Sequence, residues 1–92
     1  MRYRLELTPQ ALRDMERLPE READAIAQHI DALLDDPHPP GAAALHGRLS
    51  GRYRVRVGNY RVGCKVDHVQ RLVTVWQIGD RKHFYDIALR RS

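Results

Sequence analysis

Arg52-Tyr53-Arg54-Val55-Arg56-Val57-Gly58-Asn59-Tyr60-Arg61-Val62-Gly63-Cys64-Lys65 reads as two strands joined at Gly58-Asn59. Successive side chains of a strand point to opposite faces. Tyr53, Val55 and Val57 therefore share one face, and Arg52, Arg54 and Arg56 the other. A two-residue loop at Gly58-Asn59 sets the register. It places Val57 opposite Tyr60, Arg56 opposite Arg61, Arg54 opposite Gly63 and Arg52 opposite Lys65. One face is then apolar (Tyr53, Val55, Val57, Tyr60, Val62, Cys64). The other is cationic (Arg52, Arg54, Arg56, Arg61, Lys65). Like charges placed opposite one another destabilise a sheet, so such a face suggests a polyanionic partner.

Working outward, Asp67 to Gln70 forms a second tight connection. Arg71 to Ile78 follows as the most apolar strand, with Leu72, Val73, Val75, Trp76 and Ile78. Both parities are apolar, which predicts an interior strand covered in part on both sides. Gly79-Asp80 is expected to end it. A short C-terminal helix fits Lys82 to Leu89, with Phe84, Ile87 and Leu89 on one side. Upstream, Arg2 to Leu7 alternates as a half-buried strand. Thr8-Pro9 supplies an N-cap with proline at the first helical position. Ala11, Leu12, Met15 and Leu18 mark the first helix, which Pro19 ends. A second helix over about Glu20 to Asp35 carries the stripe Ala23, Ile26, Ala27, Ile30, Leu33 and Leu34. The short link at Pro19 implies an antiparallel helical hairpin. Asp36-Pro37 stops the helix, and the run through Ala44 reads as loop. Leu45 and Leu49 tuck under the sheet edge.

The expected architecture is α+β and two-layered. The N-terminal strand and helical hairpin pack on a mostly antiparallel sheet of about four strands, with a short C-terminal helix and an exposed cationic face. Residues 1–92 are read as a single domain. Hydrophobic residues make up 42% of the chain, enough for a packed core. Lys and Arg number 16 against 12 Asp and Glu, a formal charge of +4. The acids crowd between Glu6 and Asp36, while the C-terminal half is rich in arginine. That distribution favours nucleic acid over an acidic metabolite. Cys64 is the single cysteine, which fits a reducing cytoplasm. No apolar run is long enough to span a membrane, and Met1 to Glu6 holds no apolar signal core. The five histidines show no zinc-like spacing with cysteine, so no metal or other cofactor is expected.

The order β-α-α-β-β-β resembles the RelE/ParE superfamily of bacterial toxin–antitoxin toxins. Leu45-x-Gly47, Tyr53 through Val62, Ile78-Gly79-Asp80-Arg81 followed by Tyr85, and the Asp36-Pro37 stop carry the resemblance. It implies one of two branches. RelE-like members are ribosome-dependent endoribonucleases that cut mRNA in the A site. ParE-like members poison DNA gyrase by binding. In the RelE branch, basic hairpin residues, an arginine after the last strand and a C-terminal tyrosine carry the chemistry. Those places match Arg54, Arg56, Arg61, Arg81 and Tyr85. Arg52, Lys65 and Lys82 join Arg54 and Arg56 as candidate RNA-binding residues. The resemblance also implies a cognate RelB-like antitoxin held in a hetero-oligomer, with ribosome and mRNA as further partners and the cytoplasm as location. The chain departs from the RelE pattern in three places. Arginine stands where lysine is frequent on the hairpin, Asp80 stands where histidine is frequent, and Cys64 replaces a second tyrosine.

Metal-free RNA cleavage needs a base for the 2′-hydroxyl, cations for the phosphate, and an acid for the leaving 5′-oxygen. Guanidinium pairs with phosphate oxygens through two hydrogen bonds, so Arg54, Arg61 and Arg81 suit the second role. Tyr85 is the candidate acid, and His83 is a further acid–base candidate. Arginine is a poor base because it stays protonated. Lys65, the only lysine on the cationic hairpin face, is the other acid–base candidate and the one that could serve as base. The residues alone equally allow a solvated face or an antitoxin-docking surface, and a decayed toxin that only binds its antitoxin would look the same.

Overall fold

The computed structural model describes residues 2–92. A five-stranded sheet forms the centre, in the order β1-β5-β4-β3-β2. The strands are β1 (Arg4–Leu7), β2 (Ala43–Ala44), β3 (Tyr53–Val57), β4 (Tyr60–Asp67) and β5 (Leu72–Asp80). The helices are α1 (Pro9–Glu16), α2 (Glu20–Leu33) and α3 (Phe84–Arg91), with a 3₁₀ turn over Gly47–Leu49. The α+β class holds, with one strand more than expected. The run read as loop through Ala44 contains β2, where Ala43 pairs with Arg54 and Ala44 with Tyr53. β1 pairs parallel with β5, and the other pairings are antiparallel.

The hairpin has the register its sequence dictates: Val57 opposite Tyr60, Arg56 opposite Arg61, Arg54 opposite Gly63. Gly58 turns at φ +58° while Asn59 keeps a negative φ, the backbone that glycine at the first central position permits. Arg52 precedes β3 rather than pairing with Lys65. β5 is not broken at Gly79. It runs on to Asp80, with Gly79 opposite Arg61 and Asp80 opposite Tyr60. Between β4 and β5 the ladder carries a bulge, where Gly63 faces Gln77 and Cys64 faces Val75. The bulge leaves Trp76 unpaired.

The main core lies between the sheet and the helical hairpin. It comprises Ala11, Ile26, Ile30, Leu33, Tyr53, Val55, Val57, Val62, Cys64, Val75 and Ile78. α1 starts as expected, Thr8 Oγ1 accepting the Ala11 N–H at 3.1 Å. Its inward face is turned from the one expected. Leu12 is 51% exposed, and Asp14 takes the buried place beside Ala11 and Met15. α2 ends at Leu33, two residues short of Asp35, and Ala27 faces solvent. β1 begins at Arg4, and Leu5 is 40% exposed because β1 is the sheet's outer strand.

The second sheet face is not left open. A smaller core of Leu45, Leu49 and Ala88, with Trp76 packed against it, covers part of that face. α3 begins at Phe84 and runs to Arg91. It buries Phe84 and Ala88, while Leu89 stays exposed. None of the described helices is long and apolar enough to cross a membrane.

Candidate active site

Three backbone facts place the groups of the site. The Arg81 N–H donates to Asn59 O at 2.9 Å, tying the end of β5 to the hairpin turn. Asp80 Oδ1 then accepts the N–H groups of Lys82 and His83, each at 3.0 Å, and so fixes the turn into α3. Finally, Phe84 is buried beneath α3, and its carbonyl accepts Gln77 Nε2–H at 2.8 Å. A Cβ built on Gly79 would lie 3.8 Å from the Phe84 ring, in ordinary contact. With Phe84 anchored, Tyr85 stands edge-on to it at 5.5 Å between centroids and reaches over the hairpin.

There Tyr85 meets two of the arginines. Arg54 Nε–H donates to the Tyr85 hydroxyl at 3.3 Å, and its Nη1–H donates to Gly41 O at 3.1 Å. The Arg61 guanidinium carbon sits 5.2 Å from the Tyr85 ring centre, within cation–π range. Arg61 Nε–H is closed to solvent and has no hydrogen-bond partner. Arg56, Gly58, Tyr60, Arg61 and Arg81 line a small cleft of about 50 Å³ beside this pair. Among the described residues, no carboxylate forms an ion pair with Arg54, Arg56, Arg61 or Arg81. Arg56 and Arg61 even face one another across the ladder, an arrangement that costs stability. Two guanidiniums against the Tyr85 side chain, and two more beside Arg61 in the cleft, make a local positive field.

The other candidates lie apart from this cluster. Lys65 is on β4 opposite Thr74, four residues beyond Arg61. At about 3.3 Å per residue it is roughly 13 Å along the strand. Arg52 lies over the Trp76 ring, 4.9 Å from its centre. Lys82 is exposed on the turn before α3. His83 Nδ1 is held by the Asp80 carboxylate, at 2.9 and 3.1 Å from its two oxygens. Partial desolvation pushes the Asp80 carboxyl up. The hydrogen bonds from the His83 ring and amide, its charge, and the Lys82 amide outweigh that and hold the carboxyl below its ordinary range. Asp80 therefore serves as an anionic anchor for the turn.

Asp14 escaped the sequence reading. It is buried and accepts the Ile78 N–H at 3.1 Å and both terminal nitrogens of Arg91 at 3.1 and 3.2 Å. The clamp fastens the end of α3 to α1. Its signal was present, since Asp14 falls at i+3 from Ala11 in the inward phase of α1.

A helical hairpin on a mostly antiparallel sheet, with a guanidinium cluster closed by a tyrosine from the terminal helix, defines a small toxin of the RelE/ParE superfamily. The family described as "ParE toxin of type II toxin-antitoxin system, parDE" matches residues 5–85, and the chain belongs to it. A curated relative, Toxin RelE of Mycobacterium tuberculosis, is 34% identical over 84 residues, covering 90% of this chain and 86% of that one. The M. tuberculosis toxin–antitoxin complex RelBE2 contains a chain that superposes with a TM-score of 0.81 at 26% identity. That match covers 88% of this chain and 93% of the other. The archaeal RelE–RelB complex of Pyrococcus horikoshii gives a TM-score of 0.76 at 25% identity, over 88% and 97%. The protein is thus a RelE/ParE-type toxin of a toxin–antitoxin system.

Proposed function

We propose that this toxin is a ribosome-dependent mRNA endoribonuclease that cuts without a metal. The contact of Tyr85 with both Arg54 and Arg61, beside a cleft that Arg56 and Arg81 complete, carries the reading. The 2′-oxygen attacks the adjacent phosphorus, and the bond to the 5′-oxygen breaks. The guanidiniums of Arg54, Arg61 and Arg81 hold the non-bridging oxygens as charge builds on them. Tyr85 gives its proton to the departing 5′-oxygen, leaving a 2′,3′-cyclic phosphate and a 5′-hydroxyl. The proton of the 2′-hydroxyl must go to a base. The arginines stay protonated, and Lys65 is a strand's length away. The base therefore comes from outside the cluster, and the ribosome orients the strand for in-line attack. His83 is spoken for by Asp80 and serves the turn.

The solved RelBE2 and RelE–RelB relatives are toxin–antitoxin complexes. By the same likeness, this chain is held inactive by an antitoxin that orders on binding and masks the cationic surface.

One observation favours a second reading: the matching family description is that of ParE. Under it the chain inhibits gyrase by binding, with no catalytic group. Induction of the toxin without its antitoxin separates these readings. Primer extension on cellular mRNA should reveal cuts within translated codons, lost in Arg61→Ala. Intact mRNA with inhibited DNA supercoiling that survives Tyr85→Phe and Arg61→Ala would favour the gyrase reading. Uninterrupted growth on induction would leave only antitoxin binding.

A further inference from the structure

A second cavity, of about 330 Å³, opens on the same sheet face at the far end of α3. Its size is that of a small-ligand site. Thr8, Gln10, Arg52, Trp76, Gln77 and Arg91 line it. Two of these carry polar atoms that are closed to water and have no partner: Gln77 Oε1, on a side chain 1% exposed, and Trp76 Nε1–H. A buried acceptor and a buried donor left unpaired are costly, and native proteins rarely keep them without use. The indole is spread over β4 by design of the backbone. A Cβ on Gly63 would fall 2.6 Å from the Trp76 ring, so only glycine lets the ring lie there. The outer cover of the indole is the Arg52 guanidinium, a flexible cation that stacks without a carboxylate partner.

We propose that this cavity is a seat for one nucleobase of the RNA strand, and this rests on the RNA-directed reading above. A base displaces Arg52 from the indole and offers the same stacking surface. Its edge presents an N–H donor to the unpaired Gln77 Oε1. The displaced Arg52 then pairs with the nucleotide's phosphate. Arg52 lies two residues before Arg54, about 6.6 Å along the chain where it is extended. That is a step comparable to the one between successive phosphates of an extended strand. The cut phosphate at Tyr85 and the seated base would thus be near neighbours along one RNA strand.

Trp76 is the only tryptophan in the chain, so its fluorescence reports on this cavity directly. The test titrates the purified toxin with the four ribonucleoside 5′-monophosphates, and with ribose 5-phosphate and inorganic phosphate as controls. The expected result is a saturable change in emission with the nucleotides, with affinities differing at least threefold among the bases, and no saturable change with either control. Arg52→Ala, at a half-exposed position, should weaken binding at least fivefold, and Gln77→Leu should level the preference among bases. No saturable change, an equal response to ribose 5-phosphate, or an undiminished response in Arg52→Ala overturns the proposal. The binding assay needs no cleavage. A toxin that binds nucleotides but leaves mRNA uncut refutes the nuclease reading and keeps the seat. One that cuts mRNA but shows no nucleotide response refutes the seat alone.

Discussion

Gly63 and Cys64 show how much a single residue decides here. Gly63→Ala would drive a methyl into the Trp76 ring, and overpacking of this kind costs about 1–3 kcal/mol. Urea unfolding should report that loss, together with altered Trp76 emission in the folded state. Cys64 is buried opposite Tyr53 on the hairpin, and burial pushes its thiol up to about 12 from an ordinary 9.0, the neighbouring Tyr53 hydroxyl offsetting only part of it. Burial also pushes the Tyr53 phenol up, with the nearby Cys64 and Asp36 charges adding to it. Above pH 9 the unfolded chain gives up the Cys64 proton while the folded chain keeps it. Fewer protons bound in the unfolded state means stability falls as pH rises, up to about 12. The thiol alone contributes a slope of about 1.4 kcal/mol per pH unit across that window. Denaturation midpoints from pH 8 to 11 should fall less steeply for Cys64→Ala than for the parent. Parallel slopes would show that the thiol is not shielded.

At the scale of elements, α3 is the piece on which the site depends, because it carries Tyr85 and is held by few groups. Phe84 and Ala88 bury its inner face, Asp80 fixes its entry, and the Asp14–Arg91 pair holds its end. Asp14→Ala removes the clamp and orphans the Ile78 N–H, a loss of about 1–3 kcal/mol in thermal or urea unfolding. Hydrogen exchange should quicken most in α3, and an unchanged α3 would show the clamp to be idle. The hairpin was legible in the sequence because strict alternation and Gly58-Asn59 fix both faces and register. The rest of the site was less so. Arg61, Arg81 and Tyr85 come together only through the tertiary path from β5 into α3, for which local pattern gives no signal. Leu12 was misplaced because two apolar phases of α1 compete, and the buried Asp14 belongs to the winning one. β2 is two residues long and borrows its order from β3, so no period could announce it. The bulge at Gly63 sends both Trp76 and Gln77 to the second face, which alternation in β5 cannot foresee.

For the whole molecule, charge is divided between the two layers. Residues up to Asp36 hold nine of the 12 acids, whereas the residues after it hold 11 of the 16 bases. A positive face of this kind attracts a phosphate backbone through counterion release. Binding to single-stranded RNA should weaken steeply with salt, and removing any one of Arg54, Arg56, Arg61 or Arg81 should flatten the logarithmic slope by about 0.7. Lys65→Ala, away from the cleft, should leave the cleavage rate on ribosomes largely unchanged. In the proposed reaction a phenol and neighbouring guanidiniums break one phosphodiester bond. Single-turnover cleavage of mRNA on programmed ribosomes tests it most directly, comparing the parent with Tyr85→Phe and Arg61→Ala at saturating toxin. Each variant should lose about 100-fold or more in rate, and the parent should leave 2′,3′-cyclic phosphate ends. Ribosomal mRNA cut at the parental rate by both variants, or left uncut by the parent, would contradict it.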